Sequence, residues 1–199
     1  DWEHPYLTLE PGYVAAELRA LSKLVSKGFV YRARRPVNWC WSCETALAEA
    51  EVEYEQHTSP SVFVKFELTG GDCFASLREA HKNVKCYLVI WTTTPWTLMG
   101  NVAVAVHPNY EYSAWKVGSE IWVTASELPA NSRSLIGFEQ NRPQELKRMR
   151  GKELEGLVYR HPFGLREGKV VPADYVTLEE GTGLVHTAPG FGAVANSKR

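Results

Sequence analysis

The sequence predicts an α+β fold that is mainly β, a barrel-like core of short strands preceded by one N-terminal helix. Three features predict it. From residue 61 onward, apolar residues recur with a period of two in short runs broken by glycine and proline. Cys86 to Thr94 is a continuous apolar and β-branched run, the composition of a central strand. A clear helical stripe occurs at residues 11–28, where Val14, Leu18, Leu21 and Val25 fall at spacings of four, three and four.

The helix should begin at Pro11 and close at Gly28, residues suited to its first turn and to the position past its last. Its apolar stripe calls for a partner surface. After Gly28 the period changes, and Phe29 to Tyr31 and Val37 to Trp39 read as short strands. In Ala46 to Tyr54, small or apolar residues alternate with Glu49, Glu51 and Glu53, which favours a half-buried strand over a helix. Val62, Val64, Phe66 and Leu68 mark the next strand, and Gly70-Gly71-Asp72 a turn. Pro95 stops the central strand because it has no N–H for the ladder. Strands are then expected at Val102 to Val106, Tyr110 to Val117, Ile121 to Thr124, Leu157 to Phe163, Val170 to Val176 and Leu184 to His186. A weak helix is expected at Pro143 to Met149.

Composition is that of an ordinary globular chain: 199 residues, 44% hydrophobic and 23% charged. The net charge of −1, from 22 basic and 23 acidic side chains, does not mark a general polyanion binder. Basic clusters at Arg32, Arg34, Arg35 and at Lys147, Arg148, Arg150, Lys152 suit either phosphate contact or a solvated face. No apolar run is long enough to cross a bilayer, and residues 1–4 do not resemble a signal peptide. The expected location is the cytoplasm, although a cleaved organellar transit peptide would leave the same sequence. Four cysteines, Cys40, Cys43, Cys73 and Cys86, do not form a disulfide framework in an intracellular chain.

Three segments carry chemistry. In Trp91-Thr92-Thr93-Thr94-Pro95-Trp96-Thr97, a strand ends among hydroxyls, with Thr92 and Thr94 on one side and Thr93 on the other. The pattern suits a ligand site, and equally a strand end whose threonines serve β propensity. In Gly181-Thr182-Gly183-Leu184-Val185-His186, a short strand delivers a histidine to a loop rich in glycine and proline. That histidine suits a binding role or a buried ring satisfied by backbone. Cys40-Trp41-Ser42-Cys43 is half of a zinc site or simply two free thiols. Walker, dinucleotide and G-x-S-x-G patterns are absent.

Taken in order, these segments resemble the isoleucyl-tRNA synthetases. The resemblance runs through Asp1 to Tyr6, Arg35 to Trp39, Glu44 to Tyr54, Ser59 to Val62, Trp91 to Asn101, Gly151 to Phe163 and Ala173 to Gly192. Pro95-Trp96-Thr97 is of the isoleucyl rather than the valyl type. The resemblance implies the editing insertion of a class I synthetase, a barrel-like domain that hydrolyses valine wrongly esterified to isoleucine tRNA. Isoleucine and valine differ by one methylene, worth only ~1–3 kcal/mol in a pocket, a figure known from this very discrimination rather than from the present residues. A second, smaller site repairs the errors.

By the resemblance, residues 1–56 form a helical and strand connector, 57–193 the editing domain and 194–199 a divergent tail. Thr92, Thr93, Thr94, Asn101 and His186 would bind the substrate. Thr93, Thr94 and His186 would carry the catalysis, orienting water without a nucleophilic side chain. The implied partners are the 3′ end of tRNA(Ile) and the remainder of the synthetase, with no membrane and no DNA. No cofactor is expected in this segment. ATP would serve the adenylating domain, whose His-Ile-Gly-His and Lys-Met-Ser-Lys-Ser signatures are missing, so charging is not expected here. Zinc at Cys40 and Cys43 would need a second C-x-x-C, which the resemblance places beyond Arg199. Met99 stands where the family more often has proline. The family also follows its Pro-Gly-Phe-Gly loop with two aspartates, the later of which pairs with the substrate ammonium. Here Val194 and Ala195 stand instead, which implies weakened editing. The alternatives are a non-catalytic module for the tRNA 3′ end and an inactive fragment.

Overall fold

A computed structural model of the chain describes residues 2–34, 36–71, 74–80 and 84–191. The chain divides into two compact units, Asp1–Arg35 and Pro36–Arg199.

In the first unit, helix α1 spans Pro11–Ser26, with proline in its first turn. Gly28 adopts φ 78°, a left-handed conformation that glycine enters without steric penalty. None of the α1 side chains is buried, and the stripe Val14, Leu18, Leu21 and Val25 is open to solvent. Tyr6 packs edge-to-face on Tyr13 at 5.4 Å. The strand expected at Phe29 to Tyr31 does not form.

The second unit begins with a small hairpin, β1 Asn38–Cys40 against β2 Thr45–Leu47. The strand expected over Ala46 to Tyr54 ends at Leu47. A 3₁₀ turn follows at Glu49–Glu51, where the Glu51 carboxylate accepts the Ala48 N–H at 2.7 Å. The alternation of small and acidic residues had no sheet face to bury, so local capping prevailed.

The main sheet has nine strands: β3 Val62–Gly70, β4 Lys85–Thr92, β5 Ala103–Val106, β6 Glu111–Val117, β7 Glu120–Ala125, β8 Gln144–Arg150, β9 Val158–Arg160, β10 Glu167–Pro172 and β11 Leu184–Thr187. Their spatial order is β11-β5-β10-β9-β3-β4-β7-β6-β8. Most neighbours are antiparallel, but β4 runs parallel to β7 and β5 to β10. The ladder is open, with β11 and β8 at its ends, and it keeps to the mainly β, barrel-like class that the sequence predicts. The sheet still curls, because β11 packs back against β4. Two bonds pin the curl: Ala125 N–H donates to the Thr182 carbonyl at 2.8 Å, and Tyr112 O–H donates to the Gly183 carbonyl at 2.8 Å. Burial raises the Tyr112 pKa to about 12, so the phenol stays a donor.

The core inside the curl is built from Phe66, Leu88, Ile90, Val104, Val106, Tyr112, Val123 and Tyr159 with their neighbours. Val89 faces the opposite side, where it packs with Trp115, Ile136 and Phe138. β4 is thus covered on both faces, which is why its sequence reads as an unbroken apolar run. The outer cover comes from two short helices, α3 Ala130–Leu135 and α4 Phe138–Asn141. A further short helix, α2, spans Ala75–Ala80. The helix expected at Pro143 to Met149 is strand β8, paired along β6 with Met149 buried. Arg148, from the second basic cluster, is engaged by Glu145 at 2.7 Å and Glu111 at 3.1 Å. Among the described residues, no helix is long and apolar enough to cross a membrane.

Candidate functional site

The threonine segment leaves β4 at Thr92, and Pro95 turns it into a 3₁₀ stretch, Pro95–Gly100. The histidine-bearing strand β11 pairs antiparallel with β5, setting His186 opposite Val104. Asn101 closes the 3₁₀ stretch just before β5, so one short connection brings both segments together.

The hydrogen bonds there are directional. Asn101 is fully buried, and its Nδ2 donates to the Ala103 carbonyl at 2.9 Å, which fixes the amide orientation. Its Oδ1 accepts the Tyr159 O–H at 2.6 Å. Its second N–H then donates to His186 Nδ1 at 2.9 Å. With Nδ1 an acceptor, the ring proton sits on Nε2 and is donated to Thr97 Oγ1 at 2.9 Å. Thr97 passes its own proton to the Thr94 carbonyl at 2.8 Å. The relay fits a neutral imidazole. A protonated ring would set a second N–H against the Asn101 amide. Burial also lowers the His186 pKa, and the nearby His161 acts in the same direction.

The threonines divide as their alternation implies. Thr92 is buried, and its Oγ1 accepts the Thr94 N–H at 3.1 Å. The Thr92 and Thr94 hydroxyls lie 3.3 Å apart on one side. Thr93 is half-buried, and its hydroxyl has no hydrogen-bond partner among the described residues. Thr94 is exposed.

Three residues that the motif reading passed over hold the 3₁₀ stretch in place. His161 accepts the Phe163 N–H on Nδ1 at 3.1 Å, so its Nε2–H donates to the Leu98 carbonyl at 2.8 Å. The Arg166 guanidinium donates to the Met99 carbonyl. Tyr159 holds Asn101. The available signal was Tyr159-Arg160-His161, a strand that turns two polar side chains to the core-facing side. Thr97 sat inside the quoted motif without an assigned role.

Cys40 and Cys43 lie at the hairpin turn. The Cys43 N–H donates to Cys40 Sγ at 3.3 Å and, with further hydrogen bonds from Cys43 and Ser42, holds the Cys40 thiol below its usual pKa. Such N–H···S support suits a metal-binding thiolate, but two sulfurs supply half of a tetrahedral set. Among the described residues no group of three or more potential ligands surrounds them. Cys73, Gly192, Val194 and Ala195, and the tail 194–199, lie outside the described residues.

The family described as tRNA synthetases class I (I, L, M and V) matches residues 1–180, and the chain belongs to it. Within that family it is similar to isoleucine–tRNA ligases, at 48% identity to that of Petrotoga mobilis and 49% to that of Kosmotoga olearia. Each comparison covers 96% of this chain but 19% of the relative, so the chain spans about a fifth of the length of these curated relatives. The fold is that of the synthetase editing domains. The crystal structure of GlLeuRS-CP1 superposes with a TM-score of 0.55 at 21% identity, over 65% of this chain and 55% of that one. The editing domain of the P. knowlesi cytosolic leucyl-tRNA synthetase gives 0.50 at 12% identity, over 68% and 60%.

Proposed function

We propose that this segment serves proofreading in an isoleucine–tRNA ligase, by hydrolysing valine wrongly esterified to tRNA(Ile). The observation that carries the reading is the joining of the threonine segment to the His186 strand through Thr97 and Asn101. In this reading the terminal ribose and its ester lie along Thr92 to Thr94. Water adds to the ester carbonyl, and the ribose oxygen leaves with the proton that the water gives up. The free Thr93 hydroxyl and the exposed Thr94 hydroxyl orient the water and the carbonyl. His186 has both ring nitrogens engaged, so its part is to hold Thr97 and bound the side-chain space rather than to accept a proton. Zinc at Cys40 and Cys43 belongs, in this reading, to the longer protein, where it would staple the hairpin. The working location is the cytoplasm.

The test is deacylation of Val-tRNA(Ile) by the chain, compared with Ile-tRNA(Ile) and with buffer. Release of valine above the buffer rate, with isoleucine spared, is the expected result. A rate equal to buffer would remove the hydrolytic assignment. Ala195→Asp should raise the rate by restoring a carboxylate for the substrate ammonium. The second reading, a module that binds the tRNA 3′ end without turnover, is favoured by Val194 and Ala195. It predicts salt-dependent tRNA binding with no hydrolysis in the same assay.

A further inference from the structure

The hydrogen bonds about Asn101 form a chain with one direction. Tyr159 O–H donates to Asn101 Oδ1 at 2.6 Å, and Asn101 Nδ2 to His186 Nδ1 at 2.9 Å. His186 Nε2 then donates to Thr97 Oγ1 at 2.9 Å, and Thr97 to the Thr94 carbonyl at 2.8 Å. The chain starts at a fully buried phenol and ends at an exposed threonine. We propose that Tyr159 is a positioning residue of this site: it holds Asn101, and through Asn101 the His186–Thr97 pair that sets the place of Thr94. Its effect on catalysis rests on the hydrolysis proposed above.

Tyr159 is the fixed end of the chain. Strand β9 lies inside the sheet, between β10 and β3, and the Tyr159 ring stands edge-on to the buried Phe66 at 5.1 Å. A group locked by core packing passes its fixed placement to whatever it bonds. Burial also pushes the Tyr159 phenol above its usual pKa, which keeps the proton on the oxygen.

Asn101 needs that proton. It is fully buried, and among the described residues Tyr159 is the donor to its Oδ1. Its Nδ2 is divided between the Ala103 carbonyl and His186. With Oδ1 unpaired, the amide would keep only its Nδ2 bonds as restraints. Its donation to His186 would also weaken, because a bond received at the carbonyl polarises the N–H that the same amide donates.

The neighbouring strand makes room for the hydroxyl. Gly168 of β10 faces Tyr159 across the ladder, and an added Cβ there would collide with Tyr159 Cζ and Oη. Gly168 is not one of the glycines with positive φ, so its backbone does not call for glycine. Glycine weakens a strand interior, and here it stands where a side chain would push the hydroxyl off Asn101.

The experiment measures kcat and KM for deacylation of Val-tRNA(Ile) by the full chain. Alongside it, NMR follows the His186 Nε2 proton, which its bond to Thr97 protects from exchange with water. Tyr159→Phe keeps the ring and removes only the O–H. It should lower kcat roughly tenfold, leave KM within about twofold, and speed exchange of the Nε2 proton. Gly168→Ala should act in the same direction. The double variant should be no slower than the slower single one, because both changes break the same bond. Tyr87→Phe, beneath Lys65 on the outer face of β4, should change none of these quantities. The proposal is overturned if Tyr159→Phe, folded by circular dichroism, leaves kcat and exchange unchanged, if it raises KM alone, or if Tyr87→Phe costs as much. If the unaltered chain releases no valine, the proofreading reading fails and the exchange measurement decides this one. Faster exchange in Tyr159→Phe would then leave Tyr159 as the residue that positions His186, and equal exchange would overturn it.

Discussion

His186 shows how much one side chain depends on its neighbours. Asn101 offers it an N–H and Thr97 an oxygen, so the neutral ring with its proton on Nε2 is the form the fold accepts. Its pKa lies below the ordinary 6.5 because burial penalises the charged form. The unfolded chain protonates this residue at a pH where the fold keeps it neutral. Its contribution to stability is full above the unfolded value and declines as pH falls below it toward the lowered folded value. Urea denaturation of the chain should therefore lose stability between about pH 7 and about pH 5, and His186→Gln should show a shallower decline over that range. An identical pH slope in the two proteins would show that the ring titrates alike folded and unfolded.

At the level of elements, the decisive device is the turn into β11. Gly183 has φ 73°, and an added Cβ would lie 2.6 Å from the Ala125 Cβ and 2.9 Å from Leu178 Cδ2. The same glycine's carbonyl receives the Tyr112 hydroxyl. Gly183→Ala should cost at least ~2 kcal/mol in urea denaturation, from left-handed backbone strain together with overpacking. It should also weaken deacylation by displacing His186. A stability change under ~0.5 kcal/mol, the size of an ordinary surface substitution, would mean that the turn relaxes freely. Strands β3 to β7 were legible because each alternates or is continuously apolar. β8 was not, because Gln144 to Arg150 has weak alternation and became a strand by pairing with β6. The Ala46 to Tyr54 alternation misled for the opposite reason: the period was present, but among the described residues no strand pairs with it beyond Leu47.

For the whole molecule, the central fact is the division into two units. Among the described residues, the buried core runs from Phe66 to Ala188, and none of it comes from residues 2–34. A chain of residues 36–199 should melt cooperatively, with a midpoint within a few degrees of the full chain, as followed by near-ultraviolet circular dichroism. A broad or absent transition would place part of the folding determinant in the first 35 residues. The exposed stripe of α1 agrees with its sequence pattern in calling for a partner surface. Isolated helices of this length are marginal in water.

The sequence by itself determined the β-rich class, the ends of α1, the central place of β4 and the family, because periodicity, proline, glycine and motif order are local properties of the chain. Only the tertiary structure decided that the sheet stays open yet curls. It alone showed that Tyr159, His161, Thr97 and Arg166 brace the segment between Thr92 and Asn101. Those relations join residues far apart in sequence. What fixes them is the need to satisfy each buried donor and acceptor in three dimensions, a condition that no stretch of the chain expresses alone.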